Sequence, residues 1–390
     1  MIIPRLAFRN VWGAGLRTWL NVISLSFAFV AIIFLQGLYN GMSRQVEKAT
    51  MDAQYAGGHY WQEDYDPYDP LTLDDAHAVV PPALADQVAA GDAVPILVRP
   101  ATIYPNGRFQ NALLKGIPPD QSVLTIPTHV LSGDETGIPA LIGHRMARTT
   151  GLVKGDYVTV RWRDAGGTFD ADEIRIAEVM QTDVSGIDFG QLWIPLEKLR
   201  AMTTMPGQAT FMVLRRGSPF KESVPGWKHR DLDFLLKDLR ALFMSKSLGG
   251  SVFYIVLLLL AMLAIFNTQV LSVFRRRKEM GTLMALGMTR QKVIALFTLE
   301  GAMYAVLAGL AAAVYGLPLL LYMATHGFGL PEATDNFGFA MGNRIFPTYT
   351  AGLILGTTLL VLVVTTVVSY LPTRKIAKLN PTDALKGKRP

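Results

Sequence analysis

The chain has 390 residues, half of them hydrophobic and only 17% charged, with a net charge of +6 and a mean hydropathy of +0.28. That is too apolar for one soluble domain and too polar for a bundle lying wholly in a bilayer, so a mixed protein is implied. With no cysteine, disulfides, thiol catalysis and cysteine-ligated metal are excluded; the basic balance does not point to nucleic acid, because the cations gather at the ends of long apolar segments, where membrane topology accounts for them.

Residues 1–17 carry Arg5, Arg9 and Arg17 among Ile2, Ile3, Leu6, Phe8 and Trp12, a pattern suited to a helix in the lipid headgroup layer. Residues 18–43 hold no charge, a length that spans a bilayer and exceeds a signal-peptide core, so they read as an uncleaved first span. Domain one is thus 1–44. From about 45 to 247 the chain turns polar, with alternating runs bounded by Gly, Pro and Asp, and reads as an extracytoplasmic (periplasmic) domain. Its opening, 49–98, has nine acidic residues and no Lys or Arg.

Within that domain, residues 58–62 and 93–104 read as strands and 81–91 as a short helix. Residues 210–215 form a further strand and 231–244 a helix. Between these halves, 141–150 read as a helix, and 157–162, 173–179 and 191–195 as strands of a small all-β insert. The fold class expected is an α-helical membrane protein of four transmembrane helices, with a large extracytoplasmic α+β domain between helices 1 and 2.

The third region, 248–390, holds helices 2–4. Residues 251–274 carry no charge and are followed by Arg275, Arg276, Arg277 and Lys278, which mark a membrane exit on the cytoplasmic side. Met280, Leu283, Met284 and Gly287 then fall at i, i+3, i+4 and i+7, an apolar stripe on a short helix, 276–288. Gly287 is placed to end it, and Thr289 to cap the next helix. Such a helix suits grip by a soluble partner, and equally suits the lipid surface. Residues 293–325 carry only Glu300, with Gly301, Gly309 and Gly316 at near-heptad spacing that favours close helix packing. A Gly-rich loop at 326–344 precedes the uncharged span 346–373, and Arg374, Lys375 and Lys378 return the chain inside. Asn380 to Asp383 read as the cap and first turn of a terminal stub.

No catalytic constellation emerges: there is no H-E-x-x-H, G-x-S-x-G or phosphate-binding G-x-x-x-x-G-K-[ST] in the sequence. No nucleotide-hydrolysing site is read in this chain, and no cofactor or metal is expected on it. Glu300 pairs with Arg290 or Lys292, or takes a direct part in coupling. Asn267 and Gln269 either hold helices together or line a substrate cavity. Tyr60, Trp61, Tyr65 and Tyr68, interleaved with acids, form a substrate or carrier contact, or else an aromatic core edge beside a solvated loop. Phe27 and Phe34 border a lipid cleft or face acyl chains.

Arg277, Lys278, Glu279, Met280 and Gly281, then Ala285, Leu286 and Gly287, then Glu300 and Gly301, resemble the R-K-x-x-G-x-x-x-A-x-G … E-G signature of FtsX/MacB-type permeases of ATP-binding-cassette systems. Leu114 to Asp120, Ile142 to Ala147, Gly151 to Asp156 and Trp193 to Leu196 look like the landmarks of the lipoprotein-releasing (LolC/LolE-like) branch. His144 stands where that branch more often has Glu. The resemblance implies that Arg276, Arg277, Lys278, Glu279, Met280, Gly281, Leu283, Met284 and Gly287 form a coupling helix on a cytoplasmic ATPase dimer that holds ATP and Mg. It also implies a second permease chain, identical or related, a lipoprotein or lipid-like substrate, a periplasmic carrier, and a place in the bacterial inner membrane with both termini cytoplasmic. A MacB-like efflux permease and an FtsX-like regulator of cell-wall hydrolases are the alternatives.

Overall fold

The computed structural model describes residues 7, 9–10, 15–133, 137–182, 184–329 and 344–376; the expected C-terminal stub and most of the N-terminal amphipathic segment lie outside them. Contacts divide the chain into two units, Met1–Ser43 with Leu242–Gly329 and Ile345–Pro390, and Arg44–Ala241 with Leu330–Arg344. The first long helix is α1 (Leu16–Thr50).

The second unit contains β1 (His59–Gln62), α2 (Pro82–Ala89), β2 (Ala93–Ile103), β3 (Gln110–Ile117), β4 (Ile138–Gly143), α3 (His144–Thr150), β5 (Tyr157–Arg163), β6 (Phe169–Met180), β7 (Gln191–Pro195), α4 (Leu196–Thr203), β8 (Phe211–Leu214) and β9 (Trp227–Arg230). Nine strands join in the order β9-β1-β8-β2-β3-β7-β4-β6-β5, and β5 also pairs with β2. That last pairing closes six strands, β2 round to β5, into a barrel without a free edge. One strand serves both parts: Ala93 to Ile96 of β2 pair with β8, while Ala101 to Ile103 pair with β5. The open extension β9-β1-β8 and the barrel therefore share a strand rather than being joined by linkers.

In β5 the alternation is regular, with Val158, Val160 and Trp162 buried between exposed neighbours. These three meet Leu97, Leu114, Ile142, Ile174, Ile176 and Ile194 in the barrel core. Each apolar side chain buried there contributes about 1.5–3 kcal/mol. The Trp162 indole N–H donates to the Met202 carbonyl, so its one polar atom is satisfied. Residues 141–150 are not one helix: Leu141 and Ile142 belong to β4, and the helix starts at His144. Strand β4 lies between β6 and β7, and its buried run Pro139 to Gly143 shows no two-residue alternation to separate it from a buried helix.

At the start of β1 a histidine is locked in one protonation state. The Trp61 indole N–H donates to Nδ1 of His59 at 3.1 Å, and Nε2 of His59 donates to the Gln54 carbonyl at 3.0 Å. The ring stacks on Phe211, centroids 5.0 Å apart. Only the neutral Nε2–H tautomer makes both bonds. Burial, with a smaller contribution from nearby Lys115, holds the His59 pKa down to about 4. An unfolded chain takes up this proton near pH 6.5 and the folded one near pH 4. The stability supplied by neutral His59 is therefore complete above pH 6.5 and is lost as pH falls toward 4, about 3 kcal/mol in all. Urea unfolding followed by tryptophan fluorescence should show this acid limb in the native chain and a shallower one in His59→Gln.

The other unit comprises most of α1 and of α5 (Leu232–Arg275), with α6 (Arg277–Ala285), α7 (Arg290–His326) and α8 (Ala351–Ile376). Among the described residues α1, α5, α7 and α8 provide four helices long and apolar enough to cross a membrane. The β-rich domain lies between the first and second of them in sequence. Val22, Leu25, Phe29 and Ile33 of α1 pack with Ala261 and Ile265 of α5, Ala305 and Ala308 of α7, and Val361 and Val368 of α8. Small residues set the spacing: a Cβ on Gly301 would collide with Ser369, and one on Gly316 with Val30.

Candidate functional site

The connector from α5 through α6 to α7 is braced by polar side chains on three segments of the chain. Glu300, 5% exposed on α7, accepts three hydrogen bonds from two residues outside its own helix. The Arg276 Nη1 donates to its two carboxylate oxygens at 3.0 and 2.8 Å, and the Asn10 amide donates to Oε1 at 2.5 Å. Arg276 also donates from Nε to Glu279 at 2.6 Å and lies over the Phe297 ring, 4.8 Å from its centroid. One guanidinium thus ties the N-cap of α6 to Glu279 and to α7. Its fork geometry suits this role better than an ammonium would. The partner of Glu300 is therefore Arg276, not Arg290 or Lys292. Those two sit at the exposed start of α7, about two to three turns from Glu300 along the helix.

Three members of the apolar stripe, Met280, Leu283 and Met284, face inward on α6, while the fourth, Gly287, is exposed just past the helix end. Met280 is 2% exposed and clusters with Ala7, Val293, Leu296 and Phe297, with Leu283, Met284 and Met288 packed against them half-buried. Gly281 is buried as well. The stripe expected to enter a partner's groove is occupied by the chain's own helices. What remains on the outside is Lys278, Glu279, Thr282, Ala285, Leu286 and Gly287, with Leu286 80% exposed. The side chain of Arg277 lies outside the described set.

Leu286 is held out by the helix end. The Met288 N–H bonds the Leu283 carbonyl at 3.0 Å and the Gly287 N–H bonds the Met284 carbonyl at 3.1 Å, the paired bonds of a Schellman cap. Gly287 takes φ +93°, a left-handed conformation that favours glycine. Thr289 occupies the N-cap position of α7 without a side-chain capping bond. The result is a rigid turn carrying an exposed leucine beside mixed charges.

Of the other sequence candidates, Gln269 is buried in the bundle beside Gly301, while Asn267 is exposed on α5. Phe27 is exposed, and Phe34 is half-buried edge-on to Phe328. The four aromatics at 60–68 do not form one surface. Tyr60 and Trp61 are buried, Tyr60 donating to the Glu222 carbonyl. Tyr65 packs half-buried against Trp61 and Phe211. Only Tyr68 stands exposed, with its hydroxyl on Asp238. Period-two alternation put Tyr60 and Trp61 on opposite faces of β1, but both faces are covered. Asn10 and Leu286 escaped the sequence reading of sites: an amide in a basic segment and a leucine off the stripe carry no periodic signal.

Residues 251–381 match the FtsX-like permease C-terminal family. The chain carries an FtsX-like permease domain. That domain contains most of α5 together with α6, α7 and α8, and so the whole Arg276–Glu300 connector. An uncharacterized ABC transporter permease of Methanocaldococcus jannaschii, MJ1507, is 30% identical over 134 residues, which is 33% of this chain and 30% of that protein. The matched part of the chain thus spans under a third of the relative's length. Among solved structures, the extracellular domain of a noncanonic ABC-type transporter, YknZ, from Gram-positive bacteria aligns with 42% of this chain and 84% of that one. At 16% identity and a TM-score of 0.26, that likeness is too loose to carry any inference.

Proposed function

We propose that this chain is the permease subunit of an ATP-binding-cassette machine in the inner membrane of a bacterium. It would work on lipoproteins or other amphipathic molecules at the outer leaflet, with ATP hydrolysed by a separate subunit. The observation that carries the reading is the connector: within an FtsX-like permease domain, a short helix is clamped by Arg276 to Glu300 and leaves Leu286 and a mixed-charge face open. Movement imposed on that face reaches α7 through a half-buried arginine paired to a buried carboxylate and through a packed apolar cluster. To swing a two-state element from 1:99 to 99:1 the nucleotide must bias it by about 5.5 kcal/mol, a demand within reach of ATP binding at two subunits. The sequence itself has no phosphate-binding loop.

Reconstitution with the partner ATPase and a triacylated lipoprotein tests the reading. ATP should release lipoprotein to a soluble carrier in the native protein. Stimulated hydrolysis with a soluble peptide and none with lipoprotein would replace this substrate class by that of an efflux permease. The topology has its own test, since the chain has no native cysteine. A cysteine placed at the exposed Ser132 should react with an impermeant maleimide from the outer side only; reaction from the cytoplasmic side would invert the arrangement.

A further inference from the structure

Helix α5 has two faces over its apolar part. One packs into its own unit through Leu258, Ala261, Met262 and Ile265, with Gln269 buried one turn further on. At about 100° per residue, the opposite face carries Phe253, Val256, Leu260, Leu263, Asn267 and Phe274, all exposed. Their spacing, three then four then three then four and then seven, is that of the a and d positions of a heptad repeat. Asn267 occupies an a position.

Asn267 is the anomaly on this face. Its side chain has no hydrogen-bond partner among the described residues and is exposed in the apolar part of α5. Acyl chains offer an amide neither donor nor acceptor. A water-filled conduit would satisfy it, but Leu263, Phe266, Leu271 and Phe274 around it are exposed and apolar, which suits no aqueous lining. A second Asn267 does satisfy it: each amide N–H donates to the other's carbonyl oxygen across a two-fold axis.

We propose that this face of α5 is the seam with a second copy of the chain, a parallel heptad pair in which the two Asn267 amides bond to each other. Copies inserted with the same topology can only run parallel. A single polar a position then fixes their register, because a slip of one heptad would leave both amides facing leucine or phenylalanine. The inference rests on the proposed reading of the chain as a permease subunit, taken together with the second permease chain that the family resemblance implies.

The absence of native cysteine makes the seam directly readable. Single cysteines are introduced along α5 of the full-length protein in its native membrane and oxidised. Disulfide-linked dimers should form at Val256, Leu260 and Leu263 and stay at background at Ile255 and Met262. In the Leu260→Cys background, adding Asn267→Leu should lower in-register crosslinking roughly three- to thirtyfold, the range for one interhelical hydrogen bond in a membrane. Asn267→Gln should retain part of it. An amine-reactive crosslinker run in parallel separates the two ways of failing. Dimers with that reagent but no periodic disulfides on α5 would overturn the seam and leave a pair built elsewhere. No dimers with either reagent would overturn the paired permease as well.

Discussion

Replacing Arg276 with Met should cost about 3–5 kcal/mol of stability, the range for removing one partner of a buried ion pair. The carboxylate left behind is the reason. Glu300 is 5% exposed, and without the guanidinium it keeps, among the described residues, only the Asn10 amide. Water cannot easily replace two charge-assisted bonds at 3.0 and 2.8 Å. Glu279, which is exposed, loses a partner at little cost, because a solvated carboxylate stays hydrated. Pairing Arg276→Met with Glu300→Met removes both charges and should recover most of the loss, since a buried ion pair is often no better than the apolar pair that replaces it. Thermal unfolding of the four members of this cycle in detergent should give a coupling energy of roughly 2 kcal/mol or more. An Arg276→Met protein that melts with the native one would show that the pair does not brace the connector.

How much of this was legible beforehand depends on whether the signal was local. Uncharged runs ended by clustered cations located the four helices, because hydrocarbon excludes charge whatever the tertiary context. The cap at Gly287 was equally local: a helix that must stop with a left-handed residue advertises it. The partner of Glu300 was not, since Arg276 lies 24 positions away and reaches it only because the connector folds back. Nor could periodicity say what the Met280 stripe packs against. A stripe specifies that a face is buried, and a partner protein, a bilayer and the chain's own α7 all satisfy it. Barrel closure was hidden for a similar reason: the pairing of Ala101 to Ile103 with β5 joins segments about sixty residues apart, and a strand's sequence does not name its neighbours.

The direction of the Met280 stripe changes which residue should govern docking. If the partner ATPase grips this connector, it meets Leu286, 80% exposed and held out by the cap at Gly287. It does not meet Met280. Burying one leucine contributes about 1.5–3 kcal/mol, and an aspartate there would add an unpaired charge at the contact. Leu286→Asp should therefore weaken ATPase association by tenfold to several hundredfold, while the melting temperature of the isolated permease stays within a degree or two. Met284→Asp is the contrasting variant, because Met284 lies half-buried against the cluster of Ala7, Val293, Leu296 and Phe297. A carboxylate there sits within the permease's own packing, so loss of ATPase and loss of thermal stability should come together. Co-purification of the ATPase and the melting temperature, measured on both proteins, separate the two faces. Native ATPase yield with Leu286→Asp, alongside loss of binding and unchanged melting with Met284→Asp, would mean that α6 turns over when its partner binds and that the inward packing seen here belongs to the unengaged chain.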